Sequence, residues 1–444
     1  MAFAMKSEDE RNEESCGLEG LRAAAGTFWP TIFFGAALLL WPAGLFALDP
    51  AKSLFQFNCQ NWTRLAGLPA DKISTITQTS DGYIWLGGQN GLIRFDGLEF
   101  KVVPIALTEA QGQDVQRLSA SPKGRLWFSI TNGGYGGYGD HKFTPIADPR
   151  WTVAGMNACS IRAARDGAIW TGSVYGWGRW MPGKPNETSF DEKLGPVLTF
   201  WEDNLDRMWL GTAERGLFYW EKGELKMFPD GDLKRLNICS ITRDATGDLW
   251  VGTSRGLYRY DAQFRRKEIF FPTAQTSALL VDRHGVLWVG TSEFGLGRYQ
   301  DGKFTFLQKA DGLGSDDVLA LFEDAEGSLW VGTVEGLSQL SDLKFPIYSS
   351  KEGLNAGGAI AVAASAKGGL WIAMAMGTSY FDGKTIINYT DPKLLPNRYT
   401  RRVFEAKNGD VFFCDGNRNI SVLHEGKLVH LFANDTWPTW HFGH

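Results

Sequence analysis

Short apolar runs recur along the chain, separated by gaps that carry glycine and aspartate. The same order returns in ITQTSDGYIWLGGQNGLIRFDG, ITRDATGDLWVGTSRGLYRYDA, LLVDRHGVLWVGTSEFGLGRYQDG and LFEDAEGSLWVGTVEGLSQLSD. Every copy keeps an aromatic anchor in one place: Trp85, Trp127, Trp170, Trp209, Trp250, Trp288, Trp330 and Trp371, with Phe412 in the ninth. The anchors are 42, 43, 39, 41, 38, 42, 41 and 41 residues apart. Internal repetition at this period governs the fold before any other feature does.

The repeated unit reads as strands and tight turns. An apolar run such as SITRD is a first strand, and an Asp-x-x-Gly turn follows it. Three residues before the anchor stands Gly82, Gly124, Gly167, Gly247, Gly285, Gly327, Gly368 or Gly409, and Asp206 takes the place in the fourth unit. Glycine supplies the positive φ of a tight connection, and Asp bonds the turn backbone. Asp203, Asp244, Asp282 and Asp324 stand six before their anchors. LWVGT, rich in β-formers, is the second strand, and its glycine permits close backbone approach. A Gly-Leu pair such as Gly256-Leu257 opens the third strand, and segments such as KFTFL supply the fourth.

Four short strands in such a unit make one blade of a β-propeller, so the fold class is all-β. A single blade cannot bury both its faces, and packing blades side by side in a ring does so. One buried tryptophan withdraws roughly 150–250 Å² from water, so the eight indoles are structural anchors first. Nine units exceed the usual four to eight blades of one ring. The seventh unit is followed by a longer entry, FPIYSSKEGL, and a weaker pattern. The expectation is a seven-bladed ring over Phe55–Leu343, then two blades of an incomplete second propeller over 344–444. One eight- or nine-bladed ring is the alternative.

Residues 1–48 form an N-terminal tail. Ala23 to Leu48 holds no charge, and Phe28–Leu48 is strongly apolar, as a secretory signal or a membrane anchor is. Pro30, Pro42 and the small residues Ala43, Gly44 and Ala47 favour a cleaved signal with its cut near Ala47. Either form puts the remaining chain in the periplasm or outside the cell, with membrane contact only through this segment.

Composition narrows the functional classes. The chain has 53 glycines and 18 tryptophans but only 6 histidines, and a formal net charge of −5. A slightly acidic body gives no electrostatic case for nucleic acid. Cys16, Cys59, Cys159, Cys239 and Cys414 are widely spaced, which excludes a CxxC centre, and buried reduced thiols are expected.

The motif D-x-x-G-x-L-W-[VI]-G-T-x-x-G-L-x-R-[YF]-D resembles the two-component regulator propeller repeat. Asn61–Gly97 resembles that family's first blade especially well, and the resemblance runs from Phe55 to about Phe432. It implies a sensor ectodomain outside the inner membrane. In the family such propellers are followed by an immunoglobulin-like module, a transmembrane helix, and a histidine kinase or diguanylate cyclase. Carbohydrate fragments are the ligands of gut-bacterial relatives. The sequence carries no kinase phospho-acceptor region or nucleotide-binding motif before His444, so the expectation is a sensor truncated before its output domains. Its partners are then a small-molecule or carbohydrate ligand and a membrane sensor kinase or cyclase.

Catalytic signatures are weak. The Asp of the turn is off by one from both the sialidase Asp box and the quinone-dehydrogenase blade motif, and no G-x-S-x-G elbow or P-loop is present. No histidine pair has metal spacing on one element. The reading is therefore of a non-enzyme without cofactor or metal. A propeller lyase or hydrolase acting on a glycan and a protein-binding scaffold are the alternatives. Arg94, Arg179 and Arg259 recur nine after their anchors, which argues for a role within the strands. Function is expected where units deviate. ITNGGYGGYGDHKF in the second unit and TGSVYGWGRWMPGKP in the third put aromatics on glycine-rich connections. Tyr135, Tyr138, Tyr175, Trp177 and Trp180 are the candidate ligand-binding residues, because aromatic faces suit the apolar C–H faces of sugars.

Overall fold

The computed structural model describes residues 48–105, 114–131, 134–139, 142–146, 158–183, 189–191, 194–342, 347–391, 399–417 and 419–432. The apolar segment Phe28–Leu48 lies outside these residues except for Leu48. Leu48 is buried among Leu54, Phe57 and Trp288, so it belongs to the folded unit.

Each repeat lays down its strands in chain order. The fifth has Ile238–Arg243, Leu249–Thr253, Gly256–Tyr260 and Arg266–Phe270, hydrogen-bonded to one another in that sequence. Nine such four-stranded antiparallel sheets are present. The Asp-x-x-Gly turn joins the first two strands: Gly247 has φ 87°, and Asp206, in its place in the fourth blade, has φ 58°. All five residues of Leu249–Thr253 are buried, because neighbouring blades cover both faces of that strand. The eight anchor tryptophans are between 0% and 5% exposed.

Each anchor packs into the blade that follows. Trp209 shares a core with Ile238, Ile241 and Val251 of the fifth blade, and Trp250 shares one with Leu287 and Val289 of the sixth. The glycine of the anchor strand sits where the next blade approaches. A Cβ on Gly252 would lie 2.3 Å from Ser240 Oγ and 2.7 Å from the Thr276 carbonyl.

The seventh blade makes these same contacts with the first. Trp330 packs with Ile73, Ile76 and Leu86, and a Cβ on Gly332 would meet the Ile73 carbonyl at 2.6 Å. A backbone clamp repeats as well. The last residue of an inner strand accepts an amide from the turn of the preceding blade: Glu202 from Arg165 at 3.0 Å, and Glu323 from Arg283 at 3.0 Å. Gln78 of the first blade accepts the Ala325 amide of the seventh at 2.7 Å. The seventh repeat contributes Val318–Glu323, Leu329–Thr333 and Gly336–Ser341, and its fourth strand is the N-terminal Asn58–Trp62. The pairing runs from Asn58 opposite Ser341 to Trp62 opposite Leu337. Seven sheets thus close into a ring whose last blade is completed by Asn58–Trp62, the strand that precedes the first blade.

The two remaining sheets begin at Ala359–Ala364 and Thr400–Glu405 and pack on each other. Trp371 joins Val403, Val411 and Phe413 in one core. Their inner strands are less covered than those of the ring. Val362 is 59% exposed, whereas Ile241 at the matching place is 4% exposed. Among the described residues no helix is long and apolar enough to cross a membrane.

Candidate binding site

The inner strands of the seven blades surround a central channel. Each carries a β-bulge after its first residue: Ile73 pairs with Gly88 and Thr75 with Gly87, which leaves Ser74 out of register. The bulged residue is turned toward the channel axis. These residues are Ser74, Gln116, Cys159, Leu198, Cys239, Ser277 and Leu319, and all seven line one cavity of about 460 Å³. Lys72, Arg117, Thr131, Val174, Asn237 and Gln275 belong to the same wall.

Hydroxyls stitch the wall together. Ser74 Oγ donates to the Val115 carbonyl of the next blade at 3.0 Å, and Ser160 Oγ donates to the Val197 carbonyl at 2.8 Å. Ser277 does the same to the Val318 carbonyl. Where a small residue stands in the third place of most inner strands (Thr75, Ser160, Thr199, Ser240, Ala278 and Ala320), the second blade has Arg117. Its only hydrogen bond among the described residues runs from Nη1 to the Gln116 carbonyl, 2.8 Å away. Burial lowers the Arg117 pKa, and the nearby thiols of Cys239 and Cys159 oppose that shift; a guanidinium stays charged regardless.

A second cavity of about 210 Å³ shares Ser74, Arg117, Cys239 and Ser277 and adds Arg162 of the third blade. Arg162 Nε is buried without a hydrogen-bond partner. The described residues lining the two cavities include three cations and no carboxylate. Burial raises the Asp317 carboxyl pKa, and Lys72 opposes this. The Cys239 thiol is pushed up to about 11 by burial, against the pull of Arg117. Burial raises Cys159 as well. Both thiols are therefore protonated at neutral pH, and poor nucleophiles. None of Cys59, Cys159, Cys239 and Cys414 forms a disulfide. Among the described residues no group of three or more His, Cys, Asp or Glu is placed to hold a metal ion.

The aromatic candidates divide. Tyr135 is 5% exposed, and its hydroxyl donates to the Gly172 carbonyl at 2.6 Å, tying the second blade to the third. Tyr138 lies against Trp85, with ring centroids 5.3 Å apart. Trp177 is 3% exposed and stacks on Trp170 at 5.1 Å, and Trp180 meets Trp127 edge-on at 5.5 Å. These four are packed between or within blades. Tyr175 is 51% exposed and follows Val174 of the cavity wall. The sequence reading passed over Arg117. The signal was available as the one long charged side chain at a place otherwise held by small residues.

The recurring arginines have the strand role expected of them. Arg94, Arg179 and Arg259 sit directly opposite Trp85, Trp170 and Trp250 on the neighbouring strand. The Arg259 guanidinium lies 4.9 Å from the Trp250 ring and donates to Asp248 at 2.7 Å.

Solved structures with this architecture include the extracellular domain of the hybrid two component system BT3049 from B. thetaiotaomicron. It is 18% identical with a TM-score of 0.68, over 85% of this chain and 55% of that one. The extracellular domain of BT4673 from the same organism is 19% identical with a TM-score of 0.55, over 84% and 53%. Virginiamycin B lyase from Staphylococcus aureus is 16% identical with a TM-score of 0.51, over 65% of this chain and all of that one. The chain spans about half the length of the first two, at 55% and 53%. No curated protein matches the sequence. Residues 67–90 and 312–335 match the model described as two component regulator propeller. These segments hold the entries to the first and seventh blades, the two that meet at ring closure, and the chain therefore carries the two-component regulator propeller repeat.

Proposed function

We propose that this propeller senses a small polar ligand outside the cytoplasm, as the recognition part of a two-component signalling pathway, and that the ligand enters the channel between the seven inner strands. One observation carries the reading. Positions that hold the ring repeat from blade to blade, whereas the seven bulged residues facing the channel differ in size and chemistry. A wall built from Ser74, Gln116, Cys159, Leu198, Cys239, Ser277 and Leu319 is asymmetric on a symmetric frame. Its volume falls in the range of small-molecule sites.

Similarity to extracellular domains of two-component systems supports a sensing role. The apolar Phe28–Leu48 supports export to the periplasm or the cell exterior, with or without retention in the inner membrane. On this reading the partners are the ligand and a membrane sensor kinase or cyclase. On this reading the protein binds its ligand without transforming it, as a sensing domain does. A screen of sugars and organic acids by thermal shift tests the proposal, with Gln116→Trp as a plug at the mouth. Ligands that raise the wild-type melting temperature should leave the plugged protein unmoved. Equal shifts in both proteins would place the site elsewhere.

A further inference from the structure

We infer that the ligand carries an anionic oxygen group, a carboxylate, sulfate or phosphate, and that Arg117 holds it. This rests on the channel being the binding site. The protein as a whole is acidic, with a formal net charge of −5, yet the described channel wall is cationic. Lys72, Arg117 and Arg162 face the two joined cavities, and no described acidic side chain lines them. Low-dielectric walls focus such a field onto whatever enters.

The state of each cation points the same way. Lys72 feels Asp317, and Arg162 feels Glu202. Arg117 has no carboxylate among its charge partners, only the thiols of Cys239 and Cys159. Partly buried and with one backbone acceptor, this guanidinium keeps donors that no described protein group takes up. The fork of a guanidinium matches two oxygens of a carboxylate, sulfate or phosphate, and such bidentate pairs are strong. Gln116 and Asn237 stand in the same wall with amide donors for further oxygens. A replaceable residue at this place could have been Thr, Ser or Ala, as in the other six blades.

Calorimetric titration of the full chain tests the inference. The probes are glucuronate, galacturonate, inorganic sulfate and inorganic phosphate, with glucose and galactose as neutral counterparts. The proteins are the wild type, Arg117→Gln, Arg117→Lys and Gln116→Trp. At least one acidic probe should bind the wild type, with its affinity falling as salt rises. Its neutral counterpart should bind at least about 10-fold more weakly, and Arg117→Gln should weaken the acidic probe about 10- to 100-fold. Arg117→Lys should recover part of that loss, and Gln116→Trp should abolish binding. Binding of the sugar acids but not of sulfate or phosphate identifies an acidic sugar; the reverse identifies an inorganic or esterified oxyanion. Because Arg117 is an uncompensated cation without ligand, Arg117→Gln should melt no lower than the wild type.

The failures separate. Neutral sugars that bind as tightly as acidic ones, yet are lost in Gln116→Trp, would keep the channel site and overturn the anion. Acidic probes that bind all four proteins equally would overturn both. No heat from any probe with the wild type would overturn the anion, and so would an Arg117→Gln protein that melts several degrees lower while binding unchanged.

Discussion

The Asp282 carboxylate sits 2.7 Å from the indole Nε1 of Trp288 through Oδ2, while its Oδ1 accepts the amides of His284 and Val286, each at 2.9 Å. One side chain thus closes the turn and satisfies the buried indole. Asp203 with Trp209, Asp244 with Trp250 and Asp324 with Trp330 repeat the indole bond at 2.9, 2.7 and 2.6 Å. Asp282→Ala leaves the indole and two amides without their acceptor. It should lower stability in chemical denaturation by about 1–3 kcal/mol. Asp282→Asn keeps an acceptor oxygen and should lose less; an alanine variant as stable as the wild type would remove the bond from the account.

The same carboxylate titrates differently in two blades. Burial pushes Asp203 up, but the indole of Trp209 and the amide and guanidinium of Arg207 outweigh it, and the group ends below the ordinary aspartate value. At Asp324 burial prevails over the bonds from Trp330 and Ser328, and the group ends above it. A depressed carboxyl contributes stability above its unfolded pKa and loses it as pH falls through the folded one. A raised carboxyl carries a cost at neutral pH that disappears as pH falls. Asp203→Asn should therefore cost more at pH 7 than below about pH 4, and Asp324→Asn should show a pH slope of opposite sign. Denaturant midpoints across this range measure both, and matching slopes would contradict the assignment.

Trp177 and Tyr175 are two residues apart and differ in what supports them. Trp177 stacks on Trp170 and meets Trp220 at 5.2 Å, so Trp177→Ala should cost roughly 3–5 kcal/mol. Tyr175 is 51% exposed, and Tyr175→Ala should stay within about 0.5 kcal/mol. Thermal unfolding of the two single variants checks this, with similar losses as the outcome against it.

Gly252 marks where blade meets blade. A side chain there would strike Ser240 Oγ and the Thr276 carbonyl, and Gly252→Val should cost at least about 1–3 kcal/mol. Gly231→Ala, with nothing within 4 Å of its added Cβ, should stay within about 0.5 kcal/mol. Equal denaturation curves for the two variants would mean that the blades do not approach so closely.

The blade was legible because its causes are local. A turn that needs positive φ, an alternating run that needs two covered faces and an indole that needs burial all leave their mark within one repeat. Asp at six before the anchor was visible as a turn residue, but its bond to the indole was not, since that depends on how two strands bring residues together. The fourth strand of the seventh blade was hidden for the opposite reason. Asn58–Trp62 is nearly three hundred residues from its partner Gly336–Ser341, and no repeat announces it. The candidate site was partly legible. Unusual glycine-rich connections drew notice to the second and third blades, where Tyr175 is exposed next to Val174 of the cavity wall. Trp177 and Tyr135 share that aromatic signal yet serve the core, because aromatic residues mark packing and recognition alike. Arg117 shows only against its six counterparts once the strands are in register.

Seven-blade closure through the N-terminal strand is what creates a channel with a single cationic wall, and a cross-link tests it most directly. Gln60 stands opposite Gln339 in the paired strands, within the reach of a disulfide. In a Cys59→Ser background, Gln60→Cys with Gln339→Cys should form an intramolecular disulfide on oxidation, which peptide mass mapping would assign to positions 60 and 339. A doubly substituted protein that stays reduced, or joins only between molecules, would contradict the closed ring and with it the site built inside.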